Sequence, residues 1–410
     1  MFANYDHDVV GFDIDSDVVS QLQDGDVHID EPGLRAFVNQ ALDSGQLTIS
    51  DEIVAAKYHI ICVPTPFDDN AKEADVSYIE SAGEAIVPQL REGDTVILES
   101  TVPPGTTVEV LQPLLEKSGL SAGDDFALVH CPETVLPGNI ITELRQNNRI
   151  IGGVNGVSTA AVRLYESFVE GEIRTTNSAT TAEFVKLIQN TYRDANIAIA
   201  NEIAKLAHDY EIDSREAIDL ANEHPRVDIL QPGPGVGGHC LPIDPWFLGQ
   251  GSDELDLIST AREVNDGMSQ YIIEMLREEL GSLAGTKIAI LGVAYKGNVG
   301  DTRMSPGLKL ARELQATASH DTDAIAADGG AAIEVALHDP HVDDQTLDLV
   351  DFDTAVDGAD AVVITTDHDE FKEISPADLS DAMRQPVVFD TKDILDADKW
   401  KDTDATLCRI

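Results

Sequence analysis

Short apolar runs alternate with helical stretches in two regions of this 410-residue chain, and this alternation constrains its fold more than any other feature. The first region contains the runs HDVVGFDID, YHIICVPTP, DTVILEST, FALVHCP and NRIIGG. The last contains TKIAILGVAY, AIEVALHDP, ADAVVITTD and QPVVFDTKD. Strands that alternate with helices are typical of βαβ units with a parallel sheet. The pattern therefore predicts an α/β fold with two doubly wound domains.

A long helical pattern separates the two α/β regions. From about Thr180 to Asn222 apolar residues recur with a period near 3.6, which is typical of an amphipathic helix. The loop QPGPGVGGHC follows, and its Pro and Gly residues exclude regular secondary structure. We therefore expect a central helical domain that ends in an irregular loop.

The charge of the chain is strongly acidic. Asp and Glu number 75 against 27 Lys and Arg, which gives a formal net charge of −48. Such a surface repels phosphate backbones and anionic lipids, so we expect no nucleic-acid or membrane partner. At about 1 M salt the Debye length falls to roughly 3 Å and self-repulsion is screened. The charge thus favours a salt-loving cytoplasm, with an acidic mesophilic enzyme as the alternative.

The four cysteines show no CxxC pair, and no histidines follow them at zinc-finger spacing. This pattern predicts neither a disulfide framework nor a metal site, and it favours a reducing, cytoplasmic location. No apolar run approaches the roughly 18 residues of a membrane span, and the first residues do not resemble a signal peptide.

A dinucleotide site in a Rossmann-like domain needs a strand, a G-x-G-x-x-G turn and an acidic residue about 20 positions later. Asp13 ends a strand where such a carboxylate is expected, although an Asp there is more often a turn residue. The segment Met1 to Tyr5 is typical of the end of a helix, so we expect the first strand and the glycine turn to be missing. An upstream start site is favoured over a decayed paralogue, because the later motifs are intact. Thr65 and Thr101 follow apolar runs and offer hydroxyls to a cofactor, or simply form turns.

The sequence Gly237-Gly-His-Cys240 is the sharpest chemical feature. Glycines let the backbone approach a substrate and expose the thiol, whereas an isolated Cys is usually a buried apolar residue. Lys186 and Asn190 lie four apart, on one helix face. An ammonium and an amide aimed at one point stabilise an oxyanion on a carbon bonded to sulfur.

Two acidic residues complete this set. Asp244 follows Cys240 by four positions in Cys-Leu-Pro-Ile-Asp. Glu133 follows another apolar run and is suited to deprotonating a water, although a Glu on a loop is more often only solvated.

Four fragments carry a resemblance to a known family: CPETVLPG, NTYRDANIAIANE, NEHPRVDILQPGPGVGGHCLPIDPWF and GVAYKGNVGDTRMSP. They resemble the UDP-glucose/GDP-mannose dehydrogenase family, and within it the members that oxidise UDP-N-acetyl-D-mannosamine. The resemblance extends from Asp8 nearly to the C-terminus. UDP-glucose members are expected to have Ser and Lys where this chain has His239 and Ile243.

The resemblance implies a role for each residue of the site. Cys240 would be the nucleophile and Lys186 the proton donor and oxyanion stabiliser. Asn190 and Asp244 would support the water and the thiohemiacetal, and Glu133 would assist hydrolysis. Arg303 would meet the cofactor, together with Asp13, Thr65 and Thr101, which are predicted from their positions after apolar runs. Those implied for the sugar nucleotide are Thr134, Val135, Arg193, His224, Arg226, Gly237, Tyr295, Lys296 and Lys392.

Two of these residues need a further remark. Arg226 would extend into a neighbouring subunit. Thr134 stands where family members often have Arg, so this chain departs from the family pattern at that substrate contact.

The resemblance also implies the reaction and the domain arrangement. NAD would accept two hydrides from C6 of the UDP-sugar, with a thioester on Cys240 before hydrolysis. The implied domains are an NAD-binding domain at 1–178, a central dimerisation domain with the catalytic loop at 179–270, and a UDP-binding domain at 271–410. A homodimer or a higher homo-oligomer is expected. Oxidation of UDP-glucose or UDP-N-acetylglucosamine, or a catalytically dead sugar-nucleotide binder, are the alternatives. Arg193, His239 and the His-Pro-Arg stretch argue against UDP-glucose.

Overall fold

The structure is a computed structural model that describes residues 1–27, 29, 31–156, 158–320, 332–401 and 403–410. The chain divides into two units. Unit 1 comprises Met1–Gln189 and Trp246–Asp253, and unit 2 comprises Asn190–Pro245 and Glu254–Ile410.

Unit 1 contains a five-stranded sheet, a pair of parallel strands and a short hairpin. Its strands are β1 Val9–Phe12, β2 Leu47–Ser50, β3 Tyr58–Ile61, β4 Phe67–Asp68, β5 Glu73–Ala74, β6 Thr95–Leu98, β7 Ala127–His130, β8 Arg149–Gly153 and β9 Ile173–Thr176. The five-stranded sheet has the order β3-β6-β7-β8-β9, while β1 pairs with β2 and β4 with β5. Every residue of β6 is buried, as expected for a strand covered on both faces.

The helices of unit 1 connect these strands. They are α1 Ser16–Gln23, α2 Leu34–Asp43, α3 Ser77–Ile86, α4 Gln112–Leu115, α5 Ile140–Gln146, α6 Thr159–Glu166 and the start of α7 Ala179–Asp209. A π-helical turn at Thr107–Leu111 precedes α4, and short 3-10 helices lie at Phe2–Tyr5, Val87–Gln89 and Glu116–Ser118. Buried Glu183 fixes the start of α7, because its carboxylate accepts hydrogen bonds from the backbone N–H groups of Gly105 and Thr107 at 2.6 and 2.7 Å.

The prediction of parallel strands was wrong at one position in the five-stranded sheet of unit 1. Strands β3, β6 and β7 run parallel, but β8 pairs with β7 in the antiparallel direction through Val129 opposite Gly153. Strand β9 then runs parallel to β8. An apolar run has the same composition in either direction, so its pattern does not encode strand direction. The sequence interpretation also missed β2 and β9, which carry fewer buried residues.

Unit 2 contains a five-stranded, fully parallel sheet. Its strands are β10 Lys287–Leu291, β11 Glu334–His338, β12 Ala361–Ile364, β13 Val387–Asp390 and β14 Thr406–Arg409, in the order β11-β10-β12-β13-β14. All four neighbouring pairs are parallel, which confirms the prediction for this region. The order is that of a doubly wound sheet, in which ligands bind where the strand order reverses. This point lies between the carboxyl ends of β10 and β12.

The helices of unit 2 cover both faces of this sheet. They are the rest of α7, α8 Ser214–Asn222, the start of α9 Asp244–Gly249, α10 Asp256–Asp266, α11 Met268–Leu280, α12 Pro306–His320, α13 Phe352–Val356 and α14 Pro376–Ser380, with 3-10 helices at Asp369–Glu373 and Ala397–Lys399. Along β10, Ile288 and Ile290 pack into one apolar core with α11 and α12. Ala289 and Leu291 pack into a second core with α13 and α14, which explains why the run is continuously apolar.

The long helical pattern from about Thr180 to Asn222 forms two helices rather than one. Helix α7 ends at Asp209, and Glu211 has a positive φ of 55°. Asp213 then caps α8, because its carboxylate accepts hydrogen bonds from the N–H groups of Arg215 and Glu216. The Asp-Ser pair at the break is a recognised helix-start signal that the apolar periodicity obscured.

Candidate active site

Amide side chains hold the glycine-rich loop to helix α7 within unit 2. The Asn196 amide donates to the Asp228 carbonyl at 2.7 Å and accepts from the Leu230 N–H at 3.0 Å. The Asn201 carbonyl oxygen accepts from the Gly233 N–H at 2.9 Å. These bonds satisfy backbone groups that have no partner in a helix or a sheet, so an irregular loop becomes fixed in place.

A buried guanidinium supports the same loop from another side. Arg215 donates to the carbonyl oxygens of Pro232 at 2.8 Å and Thr391 at 3.1 Å, and to the Gln231 side chain at 3.3 Å. Burial lowers the pKa of Arg215. The sequence interpretation missed Arg215, Asn196 and Asn201, whose only signal is a polar residue on a buried helix face.

Cys240 ends the loop as an exposed thiol. The backbone turns into a helix directly after it, because the N–H groups of Ile243 and Asp244 donate to the Cys240 carbonyl at 3.1 and 2.9 Å. Glycine is required just before it. Gly238 has a φ of +86°, and a Cβ atom there would lie 2.9 Å from the Tyr295 ring. A Cβ atom on Gly237 would lie 2.7 Å from the Met304 carbonyl oxygen. The thiol is therefore presented by backbone that lies directly against Tyr295.

Charged and aromatic groups surround the loop end. Arg303 donates through Nε to both carboxylate oxygens of Asp301, at 3.0 and 2.9 Å. This hydrogen bond raises the pKa of Arg303, and Cys240 adds a smaller electrostatic contribution in the same direction. Burial raises the pKa of Tyr295 and lowers that of His239. The Arg303 guanidinium, which is charged at neutral pH, thus interacts electrostatically with Cys240.

Asn190 and Asp244 are brought together as expected. The Asn190 amide donates to Asp244 Oδ2 at 2.6 Å, although 54 residues separate the two in sequence. Asp244 is buried, with 3% of its surface exposed. The bond fixes the amide orientation at the start of α9.

Unit 1 contains an acid and a cation that interact electrostatically. Glu133 follows β7 and is half-buried, and burial raises its pKa while Lys186 and Arg149 oppose the shift. Lys186 is buried, with 7% exposed, and Arg149 is buried at 2%. The Val135 N–H donates to Glu133. The structure therefore brings Glu133 and Lys186 into electrostatic contact, which their separation in sequence did not reveal.

Three predicted cofactor residues follow strands of unit 1. Asp13 follows β1, is exposed, and accepts from the Asp15 N–H at 2.9 Å. Thr65 follows β3 and Thr101 follows β6, at the same edge of a parallel sheet. Thr65 is 8% exposed, and its buried hydroxyl has no hydrogen-bond partner among the described residues. A buried hydroxyl normally has a hydrogen-bond partner. A bound ligand at the carboxyl edge of the sheet would supply one, so this edge fits a dinucleotide.

The sequence interpretation did not identify Glu99 as a further polar group at this edge. Glu99 directly follows β6 and accepts hydrogen bonds from the buried Tyr165 hydroxyl and from the Cys62 thiol, the latter at 3.3 Å. Burial and Glu99 together raise the pKa of Tyr165 well above its usual value. Its hydroxyl therefore stays protonated at neutral pH.

The residues predicted for the nucleotide lie at the carboxyl edge of the unit 2 sheet. Tyr295 and Lys296 follow β10, and Lys392 follows β13. The Lys392 ammonium lies 3.6 Å from the carboxylate of Asp367, which follows β12. The Thr391 hydroxyl donates to the Ile364 carbonyl at 2.6 Å and fixes the segment that carries Lys392.

Other predicted sugar contacts are more dispersed. Arg193, His224 and Arg226 are exposed, and the Arg226 N–H donates to His224 Nδ1 at 3.3 Å. Thr134 and Val135 are half-buried after β7, and the Thr134 carbonyl accepts from the Asn147 amide at 2.9 Å. Their roles stay predictions.

Within the described ranges, none of the helices is both long enough and apolar enough to cross a membrane.

The chain matches the models of a known enzyme family over most of its length. Three models of the UDP-glucose/GDP-mannose dehydrogenase family match the chain: the NAD binding domain at residues 1–169, the central domain at 180–267 and the UDP binding domain at 289–397. UDP-N-acetyl-D-mannosamine dehydrogenase from Methanococcus maripaludis strain S2 is 43% identical over 410 residues, covering 98% of this chain and 91% of that protein.

Solved structures are similar over the whole chain. The UDP-D-ManNAc dehydrogenase from Pyrococcus horikoshii has a TM-score of 0.87 at 40% identity, covering 100% of this chain and 94% of that one. The UDP-N-acetyl-mannosamine dehydrogenase from Staphylococcus aureus has a TM-score of 0.84 at 41% identity, with 100% and 94% covered. The chain therefore belongs to the UDP-glucose/GDP-mannose dehydrogenase family, and it is a nucleotide-sugar dehydrogenase that uses NAD.

Proposed function

We propose that the chain oxidises the C6 hydroxyl of UDP-N-acetyl-D-mannosamine to a carboxylate, giving UDP-N-acetyl-D-mannosaminuronate. The observation that carries the proposal is the exposed Cys240 thiol at the end of a fixed glycine-rich loop. The relatives at about 40% identity, which are named for this substrate, support the choice of sugar.

The proposed reaction removes four electrons in two steps. NAD+, when bound, supplies the hydride acceptor, and one molecule is consumed in each step. The first step converts the C6 alcohol to an aldehyde. The Cys240 sulfur then adds to the aldehyde carbon and forms a thiohemiacetal. Loss of the second hydride gives a thioester, and water cleaves its C–S bond to release the acid and the free thiol. Because the aldehyde stays covalently bound, it is not lost between the two oxidations.

The residues of unit 2 fit the sulfur chemistry. The bond between Asn190 and buried Asp244 orients the amide as a donor toward an oxyanion or a water. Arg303 is proposed to meet the cofactor, and it also interacts electrostatically with Cys240. Gly237 lets the backbone approach the sugar.

The residues of unit 1 fit proton transfer and cofactor binding. Lys186 is proposed to exchange protons with the substrate, and Glu133 to deprotonate the hydrolytic water. Burial raises the pKa of Glu133, and this makes its carboxylate a stronger base than an exposed one. Asp13, Thr65 and Thr101 would hold NAD, of which the buried Thr65 hydroxyl has the clearest support.

The remaining predicted residues would hold the sugar nucleotide. Tyr295, Lys296 and Lys392 lie at the edge where a doubly wound sheet binds ligands. The proposed sugar contacts are Thr134, Val135, Arg193, His224 and Arg226. The boundaries of 1–178, 179–270 and 271–410 for the NAD-binding, central and UDP-binding domains remain our proposal.

The test of this function is NADH production from three separate substrates. The assay is run in molar KCl, because a net charge of −48 favours folding at high ionic strength. We expect two NADH per UDP-N-acetyl-D-mannosamine, and far slower turnover of UDP-N-acetylglucosamine and UDP-glucose. Turnover of UDP-glucose alone would keep the mechanism and refute the substrate. No NADH from any of the three would refute the function.

We also propose a homodimer formed through helix α7. Ile188, Tyr192, Ile199 and Leu206 recur along one face of this helix and are 44%, 58%, 53% and 52% exposed. An apolar helix face of this length is typical of a protein–protein interface. Light scattering in molar KCl should give twice the chain mass of 44.2 kDa. The mass of a single chain at micromolar concentration would contradict the proposal.

A further inference from the structure

A buried carboxylate fixes the start of the loop that carries Tyr295 and Lys296. Asp339 directly follows β11, and none of its side chain is exposed. Its Oδ2 accepts from the N–H groups of Val293 and Ala294 at 2.6 and 2.9 Å. Burial alone would raise the pKa of Asp339, but hydrogen bonds, that from His368 foremost, lower it to about 2. The group is therefore a carboxylate at neutral pH and binds the backbone where β10 ends.

A buried imidazole connects this carboxylate to the far end of the same loop. The His368 side chain is fully buried, and its Nδ1 lies 2.9 Å from the Asn298 N–H, from which it accepts. An accepting Nδ1 carries no proton, so the proton of the neutral ring is on Nε2. Nε2 donates to Asp339 Oδ2 at 3.1 Å. His368 thus bonds Asp339 on one side and the loop on the other.

Asn298 and Gly297 complete the attachment. Asn298 has a φ of 59°, and its amide exchanges two hydrogen bonds with Asp369, both of 3.0 Å. A Cβ atom on Gly297 would lie 2.4 Å from the Asp367 carbonyl oxygen, so the loop lies directly against the segment that follows β12. The loop is therefore fixed at both ends, with Tyr295 and Lys296 between them.

A metal site does not explain this cluster. His341, His368 and Glu370 place potential ligand atoms within 4.8 Å of one another. Both ring nitrogens of His368 are already engaged, however, one with Asn298 and one with Asp339. The His341 ring stacks on His368 at 4.7 Å and bonds Glu370 at 3.1 Å. The cluster is therefore a hydrogen-bond network that fixes the backbone of residues 293–298.

We infer that Asp339 and His368 are positioning residues for the loop that binds the nucleoside diphosphate. They hold residues 293–298 in one conformation, so the groups that contact the ligand are in place before it binds. The inference rests on the proposed nucleotide role of Tyr295 and Lys296. Freeing the loop would weaken UDP binding, because ordering the loop would then oppose association. The groups that touch UDP would be unchanged.

The test is a series of His368 variants, measured for UDP affinity by calorimetry and for loop order by hydrogen exchange without ligand. His368→Phe removes both hydrogen bonds. His368→Asn can place its amide oxygen near the position of Nδ1 and accept from the Asn298 N–H. His368→Gln can place its amide nitrogen near the position of Nε2 and donate to Asp339. We expect UDP to bind the Phe variant about tenfold or more weakly, which is the size of effect seen when the hydrogen-bond partners of metal ligands are removed. The Asn and Gln variants should lie between it and the wild type. Amides of 293–298 should exchange faster in the same order, while the KM for NAD stays unchanged.

The matched control is His338→Phe. The His338 ring is half-buried on the same sheet, bonds the Val350 carbonyl at 2.9 Å and packs on Phe352. UDP affinity and loop exchange should stay at their wild-type values in this variant. If the wild type binds UDP and the three His368 variants bind it equally well, the inference is wrong while the proposed function stands. If the wild type does not bind UDP, both are wrong.

Discussion

Replacing Cys240 with Ala is expected to lower the rate of acid formation by about 10³-fold or more, as for other nucleophile deletions. Without the thiol, neither the thiohemiacetal nor the thioester can form, and the second hydride has no route from a bound intermediate. The measurement is NADH released per UDP-sugar consumed. Calorimetric UDP affinity should be retained, because the UDP-binding residues follow other strands.

Cys408→Ala is the control for this experiment. Cys408 lies in β14, packs against the apolar core, and has its pKa raised to about 12 by burial. It is therefore a neutral thiol, and its loss should leave NADH production near the wild-type rate. If Cys240→Ala kept more than a tenth of that rate, a covalent role for Cys240 would be excluded.

The second large effect is expected from Gly238→Ala, which we predict to lower kcat about 100-fold, as a displacement near 1 Å does in other active sites. Alanine rarely adopts a φ of +86°, and its Cβ would lie 2.9 Å from the Tyr295 ring. Either the ring or the backbone that presents Cys240 must move. Steady-state rates and thermal unfolding of the same protein separate this displacement from a loss of folding.

Gly251→Ala is the control that separates the effect of the backbone conformation from the effect of the contact with Tyr295. Gly251 has nearly the same φ, +84°, but no atom lies within 4 Å of the position that its Cβ would take. Both variants should lose a similar amount of stability, of order 1–3 kcal/mol, from the backbone conformation. Only Gly238→Ala should lose activity. Equal activity in the two variants would show that contact with Tyr295 does not matter.

The sequence predicted the exposure of the Cys240 thiol, but it did not predict the side chains that support the loop. Gly237 to Cys240 are contiguous, so their spacing alone indicates an exposed thiol, and the structure confirms that exposure. Asn196 and Asn201 appear only as polar residues in a helical pattern. Their partners in the glycine-rich loop lie at least 32 residues away in sequence, so their function depends on tertiary contacts that no local pattern contains.

The sequence predicted most strands of the unit 2 sheet, but it did not predict strand direction or the end of helix α7. Continuous apolar runs identified all strands of the unit 2 sheet except β14, whose residues are less buried. The antiparallel β8 was not predictable, because hydrophobic patterning specifies burial and carries no information on direction. The end of α7 at Asp209 was missed because apolar residues continue across the break.

The side chains that hold the glycine-rich loop form no ion pair with it. Asn196 and Asn201 are uncharged, and Arg215 donates to carbonyl and amide oxygens rather than to carboxylates. Bonds of this kind contain no ion pair for dissolved ions to screen. In a chain with a net charge of −48, changes in ionic strength act chiefly on the acidic surface. We therefore expect the hydrogen bonds that these three side chains make to the loop to depend less on ionic strength than the acidic surface does.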